Sequence, residues 1–459
     1  MPRDPVPALL GPLTELLEGR FAGLPEFSRS ENLAGIESVL EKVTMRLADN
    51  YPYFHPLYAG QMLKPPHPVA RAAYALAMTI NPNNHARDGG RASSEMEIEA
   101  VGQIAAMFGW REFLGHLTSS GTIANLEALW IAGQLAPSKR ILASEQAHYT
   151  HQRISGVLKL DFASVPVDRR GRMDLNALEA ELRRGGVGTV VATLGTTATG
   201  AVDPLDAILQ LRARYGFRLH VDAAYGGYFA LIPNELDEPA RCAFAAVAEA
   251  DSIVVDPHKH GLQPYGCGCV LFRDPGIGRL YKHDSPYTYF TSKALHLGEI
   301  SLECSRAGAA AVALWATQQL LPLVGDGEFA DGLRQSRRAA LALEGKLRGD
   351  ARWAPLAAGS PELDIVVFAL RLQAAGGRSS SEAAQRVFDA CAARDLHLAL
   401  VQLPRAWFVT AEEATPRQEK IACLRSVLMK PEHEAWVEHI WGRLSAAGED
   451  VLGAFGPRE

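Results

Sequence analysis

Two apolar runs, Thr189-Val190-Val191-Ala192-Thr193-Leu194 and Ile253-Val254-Val255, have no alternating polar face. Strands of that kind are buried on both sides, which is the habit of parallel sheets covered by helices. From about residue 70 to 325 strand-like runs alternate with helical patterns such as Ile98 to Phe108. That alternation predicts an α/β fold around a mostly parallel sheet. Ligands of such sheets bind beyond the carboxyl ends of the strands. The residues that directly follow each run therefore matter most.

Ile253-Val254-Val255 leads into Asp256-Pro257-His258-Lys259-His260-Gly261. A lysine there can form a Schiff base with pyridoxal phosphate, whose ring then serves as an electron sink; the bland alternative is a solvated surface charge. Arg218-Leu219-His220-Val221-Asp222 runs into Ala223-Ala224-Tyr225-Gly226-Gly227. Asp222 can pair with a protonated pyridine nitrogen, or simply cap a helix. Leu117-Thr118-Ser119-Ser120-Gly121-Thr122 precedes a helical stretch from Ile123 to Trp130. N–H groups and hydroxyls at that helix start suit a phosphate, although Ser and Thr are also ordinary caps. After the strand-like Arg140-Ile141-Leu142-Ala143 comes His148, which can lie flat on a cofactor ring or serve as a hydrogen-bonded structural residue.

Taken together, the order of phosphate cradle, ring-stacking histidine, pyridine-pairing aspartate and Schiff-base lysine resembles the group II pyridoxal-phosphate-dependent amino acid decarboxylases. Relatives in that family act on aromatic amino acids, histidine, glutamate, and aspartate or tyrosine. The matching segments are Leu117 to Asn125, Ala147-His148-Tyr149, Thr193-Leu194-Gly195-Thr196-Thr197, His220 to Tyr225 and Asp256-Pro257-His258-Lys259, within a similarity spanning roughly residues 45 to 445. The resemblance implies a fold-type I enzyme. It would have an N-terminal helical arm and substrate-side segment over 1–69, a large cofactor-binding domain over 70–325 and a small C-terminal α+β domain over 326–459.

The resemblance further implies pyridoxal 5'-phosphate as cofactor, held by Gly121, Thr122, His148, Thr197, Asp222, His258 and Lys259. The reaction it implies is decarboxylation of an L-amino acid to the amine and carbon dioxide. Lys259, Asp222 and His148 would act on the cofactor, and a loop tyrosine would return a proton to Cα. Tyr287 is at the matching distance from Lys259, with Tyr289 in reserve. Arg425, in Cys423-Leu424-Arg425-Ser426-Val427-Leu428, matches the arginine that meets the substrate α-carboxylate. Lys64 or His67 could meet a distal carboxylate, while Tyr53, Phe54 and Tyr58 leave an aromatic substrate open. Carbon–carbon lyases, aldolases and aldehyde-forming oxidative decarboxylases use the same fold and cofactor residues and form the alternative.

Three departures from the family pattern concern the substrate more than the cofactor: Ser120 stands where many relatives have glycine, Ile123 where many have glutamate, and His260 where a bulky residue is common. Leu9, Leu10, Leu13, Leu16 and Leu17 fall at helical spacing, and an isolated helix this short needs a partner surface. In the resembling family such arms cross a dimer, so a homodimer is expected.

Bulk composition excludes other classes. The 46 basic and 52 acidic residues, net −6, argue against a dedicated nucleic-acid binder. No apolar run approaches a membrane span, and the N-terminus lacks a secretory signal pattern. Six cysteines without framework spacing fit reduced thiols in a cytoplasm. Cys267-Gly268-Cys269 lacks the second Cys/His pair of a metal site, so no metal is expected.

Overall fold

The computed structural model describes residues 4–25, 34–282, 300–372, 377–408 and 420–455. Seven strands form one sheet: β1 (Leu114–Thr118), β2 (Arg140–Ser144), β3 (Phe162–Val165), β4 (Val187–Thr193), β5 (Arg218–Asp222), β6 (Ser252–Val255) and β7 (Gly268–Phe272). Their order across the sheet is β1-β7-β6-β5-β4-β2-β3. Pairs from β6 through β3 are parallel, and β7 is antiparallel to both β1 and β6. Strand β1 therefore points the same way as β2 to β6.

The apolar runs of the sequence are β4 and β6, and every residue of β6 is buried. Ile253 and Val255 face one core with Ile104 and Phe108. Val254 faces the other with Ala124, Ala128 and Ile131 of the helix Gly121–Leu135. The one polar side chain of β6, Ser252, is bonded to His220 at 2.9 Å inside the sheet, so the chemistry available to a ligand begins at Asp256.

A second, antiparallel sheet contains β8 (Trp353–Pro355), β9 (Ile365–Leu370), β10 (Ala399–Pro404) and β11 (Lys420–Val427) in the order β10-β11-β9-β8. Its core joins Phe368 and Leu424 to Leu343, Val387, Ile440 and Leu444. The apolar pattern around 396–403 predicts a strand from Leu396, but β10 begins at Ala399. The backbone of His397 is already engaged with the N-terminal segment, donating to the Leu57 carbonyl at 2.9 Å and accepting from Ala59 at 2.9 Å.

The expected N-terminal helix spans Val6–Gly19 and lies against the helix Pro68–Met78. Among its described residues only Val6 is buried; Leu9, Leu13 and Leu16 are exposed. A second helix, Ile36–Leu47, buries none of its residues and exposes Val39, Leu40 and Val43. Its apolar stripe is as regular as that of the first, yet the leucine run upstream was the only arm signal read from the sequence. No described helix is long and apolar enough to cross a membrane. All six thiols are free, and Cys267 and Cys269 are buried in the core.

Candidate active site

The motif residues follow the carboxyl ends of β1, β2, β4, β5 and β6, which the shared strand direction brings to one edge of the sheet. A cavity of about 180 Å³ there is lined by Gly121, Thr122, His148, Thr197, Asp222, His258 and Lys259. These are all seven residues expected to hold the cofactor. Asn125, Thr193 and Asp256 line it too.

At one end stands the first turn of the helix Gly121–Leu135, whose leading N–H groups have no acceptor within the helix. Ser120, the departure from glycine, is its N-cap and accepts from the Ile123 N–H at 3.4 Å. Gly121 admits no side chain, because a Cβ would lie 2.5 Å from both carboxylate oxygens of Asp256. Gly268 on β7 is equally confined, since its Cβ would come within 2.8 Å of the Gly121 nitrogen. Two glycines thus let backbone close around the positive end of a helix, the setting in which a phosphate binds.

Lys259 Nζ lies 2.9 Å from Asp256 Oδ2. Asp256 is buried, and its Oδ1 has no hydrogen-bond partner. His258 Nδ1 is 2.6 Å from the Cys267 carbonyl, and its ring lies 4.9 Å from that of Tyr265. Burial lowers the His258 pKa, so at neutral pH its single proton belongs on Nδ1, toward that carbonyl. Donation from Nε2 to a ligand therefore requires the imidazolium form.

Asp222 closes β5. Leu219 and Val221 on the same strand turn into the core, while His220 and Asp222 share the opposite face. Asp222 Oδ1 accepts from the Ala224 N–H at 3.1 Å, and Oδ2 lies 2.8 Å from His151 Nε2. Burial alone would raise the Asp222 pKa, but the His151 hydrogen bond and nearby positive charge, including Lys259, hold it below the usual carboxylate range. His148 Nδ1 is 2.8 Å from the Thr150 hydroxyl, and burial pushes its pKa down. Together the helix end, the lysine and the buried aspartate form a donor set that fits a phosphorylated pyridine aldehyde.

Arg425 on β11 is buried between the buried Leu424 and Ser426. It donates to the Thr197 carbonyl at 2.7 Å and to the Gln61 amide oxygen, so it adjoins the cavity through Thr197. Lys64 and His67 do not line that cavity. The Lys64 ammonium donates to the Met429 carbonyl at 3.2 Å, and burial pushes its pKa down to about 8. His67 caps the helix Pro68–Met78, its Nδ1 accepting from the Val69 N–H at 3.2 Å. Tyr287 and Tyr289 lie outside the described residues.

His260, the third departure, is buried and does not line the cavity. Its Nε2 is 2.8 Å from Asp364 Oδ2 and its Nδ1 2.9 Å from the Tyr225 carbonyl, while the Tyr225 hydroxyl donates to Asp364 Oδ1 at 2.6 Å. Sequence reasoning missed this network, along with Asp256 as the partner of Lys259, Gln61 as the partner of Arg425, and His151. Two of these had a local signal: Asp256 precedes Lys259 by three residues, and His151 follows His148 by three.

Residues 50–371 match the family described as the pyridoxal-dependent decarboxylase conserved domain. An L-tyrosine decarboxylase of Enterococcus faecium is 31% identical across 62% of this chain and 63% of its own length. The chain thus spans less than two thirds of that relative. A probable L-tyrosine/L-aspartate decarboxylase of Methanothrix thermoacetophila is 29% identical across 72% of this chain and 79% of its own. The solved structure of Oryza sativa TDC with PLP and tryptamine has a TM-score of 0.78, covering 98% of this chain and 99% of that one at 18% identity. That likeness is one of fold, and it bears out the fold-type I architecture.

Proposed function

The chain belongs to the pyridoxal-dependent decarboxylase family, and from that premise we propose that it releases the α-carboxylate of an L-amino acid as carbon dioxide, leaving the amine. The observation that carries this reading is the meeting of all seven expected residues, from five strand ends, around one cavity. When bound there, pyridoxal phosphate supplies an electron-poor ring able to take up the electron pair left at Cα.

The chain's own residues divide the remaining work. Gly121 and Thr122 hold the phosphate. Lys259 would hold the aldehyde carbon through its amine, with Asp256 Oδ2, 2.9 Å from Nζ, as the nearest acceptor for that amine's proton. Asp222 holds the pyridine nitrogen and His148 restrains the ring plane. Arg425 fixes the substrate carboxylate, and Tyr287 returns a proton to Cα.

For the substrate we favour an aromatic L-amino acid, with tyrosine first. The relatives named above act on tyrosine, or on tyrosine and aspartate. Lys64 and His67 are engaged with Met429 and a helix cap, away from the cavity. Gln61, which holds Arg425, also donates its N–H to the Tyr58 hydroxyl at 3.4 Å, and the Tyr58 and Tyr53 rings meet edge-on at 4.8 Å. Tyr225 lines the cavity itself, and Tyr58 stands behind Gln61 without lining it.

We further infer that a second copy of the chain covers the arm. Two consecutive helices with regular apolar stripes and almost no burial of their own support a homodimer.

The test is carbon dioxide and amine detection with added cofactor over tyrosine, phenylalanine, tryptophan, aspartate and glutamate, using wild type and Lys259→Ala. Tyrosine should react, and the lysine variant should lose both turnover and the visible band of the bound cofactor. A cofactor-loaded protein that releases carbon dioxide from none of the five would overturn the reading.

A further inference from the structure

We propose that His151 is a positioning residue that keeps a shared proton on the cofactor's pyridine nitrogen rather than on Asp222. The inference rests on the cofactor reading above and adds to it a residue that no expectation from sequence had assigned. His151 is fully buried, with Nε2 2.8 Å from Asp222 Oδ2. Its other nitrogen, Nδ1, is buried with no hydrogen-bond partner among the described residues. With no acceptor facing Nδ1, the N–H that the ring can use is the one on Nε2, directed at Asp222 Oδ2. A histidine kept only for packing would gain nothing from half of its polar capacity being buried unmet. The orphaned Nδ1 is explained if the ring serves the Asp222 contact.

The neighbouring His220 has partners of its own and does not compete for Asp222. The His220 ring lies 6.3 Å from that of His151. Asn125 Nδ2 donates to the Gly121 carbonyl at 2.9 Å, which turns its Oδ1 toward His220 Nε2 at 2.8 Å. His220 must then carry its proton on Nε2 and accept from Ser252 Oγ at 2.9 Å through Nδ1. Burial pushes the His220 pKa down to about 3, so it stays neutral. The remaining titratable groups facing Asp222 are Lys259, itself paired with Asp256, and His148.

A proton between two bases resides on the more basic one. With donors on both oxygens, from His151 and from the Ala224 N–H, Asp222 is a weak base and leaves the proton on the ring nitrogen. Without His151, burial would make Asp222 the stronger base, and the proton would move to the carboxylate. The ring would then lose the positive charge that makes it an electron sink.

The experiment loads wild type, His151→Leu, His151→Phe and His151→Gln with ¹⁵N-labelled pyridoxal phosphate. It reads the ring-nitrogen chemical shift and the cofactor dissociation constant, with circular dichroism as the check on folding. Wild type should show a protonated ring nitrogen. The Leu and Phe variants, which remove the donor with different volumes, should move the shift toward free pyridine and weaken binding about 10- to 100-fold, the range for one hydrogen bond to a charged group. The Gln variant, which keeps an N–H, should recover most of both. A folded Leu or Phe variant with wild-type shift and affinity overturns the inference alone, as does a Gln variant no better than Leu. Wild type that binds no cofactor overturns the cofactor reading, and this inference with it.

Discussion

Replacing Arg425 by methionine should raise the substrate KM steeply while leaving cofactor affinity nearly unchanged. The guanidinium is buried, and its two described partners, the Thr197 carbonyl and the Gln61 amide, are both neutral. Its Nε has no partner among the described residues. A buried cation with neutral acceptors and an unused N–H is prepared for an anion, and a substrate carboxylate supplies the missing charge. Losing one such desolvated pair costs about 2–5 kcal/mol, or about 30- to 4000-fold in KM at roughly 1.4 kcal/mol per tenfold. Arg425→Lys should fall between, because an ammonium keeps the charge but lacks the fork that spans Thr197 and Gln61 together. Steady-state kinetics with tyrosine, beside a cofactor titration of each variant, gives the split. If Arg425→Met keeps the wild-type KM, the arginine is only a brace between the two sheets, and the carboxylate site must be sought elsewhere.

Three further outcomes follow from the same structure. Tyr287→Phe should bind cofactor and substrate yet form amine about 10²–10⁴-fold more slowly, the usual effect of one lost proton donor; if Tyr289→Phe shows that loss instead, the assignment within the loop is shifted by two residues. Removing residues 1–47 should turn a dimer into a monomer in sedimentation, and a full-length protein that sediments as an active monomer would end the arm proposal. Burial pushes the Lys430 pKa down to about 7 from an ordinary 10.5, so above pH 7 the folded chain has shed a proton that the unfolded chain still holds. Stability should therefore rise with pH over that window. Lys430→Met should flatten the rise, leaving the smaller part that Lys64 contributes above about 8; equal slopes of denaturation midpoint against pH in the two proteins would refute this.

What could be read from the amino-acid order was whatever is encoded contiguously. The apolar runs that became β4 and β6, the turn residues after them, and the sequence from Gly121 to Lys259 each lie within a few residues of a strand end. Strand direction alone then carries them to one edge of the sheet. The sequence therefore determined the α/β fold, the cofactor and seven residues that prove to line one cavity. It could not decide which polar side chains meet. Asp222 and His151 are 71 residues apart, His260 and Asp364 are 104 apart, and Arg425 and Gln61 are 364 apart. Such pairs depend on strand register and on the rotation of helices about their axes, neither of which leaves a mark on local spacing. For the same reason Lys64 and His67, close in the chain to an expected substrate segment, turned out to be engaged with Met429 and a helix cap. Only the tertiary structure made Arg425 a neighbour of the cavity and set His151 behind Asp222, because burial forces each polar group to find whichever partner the packing brings within reach.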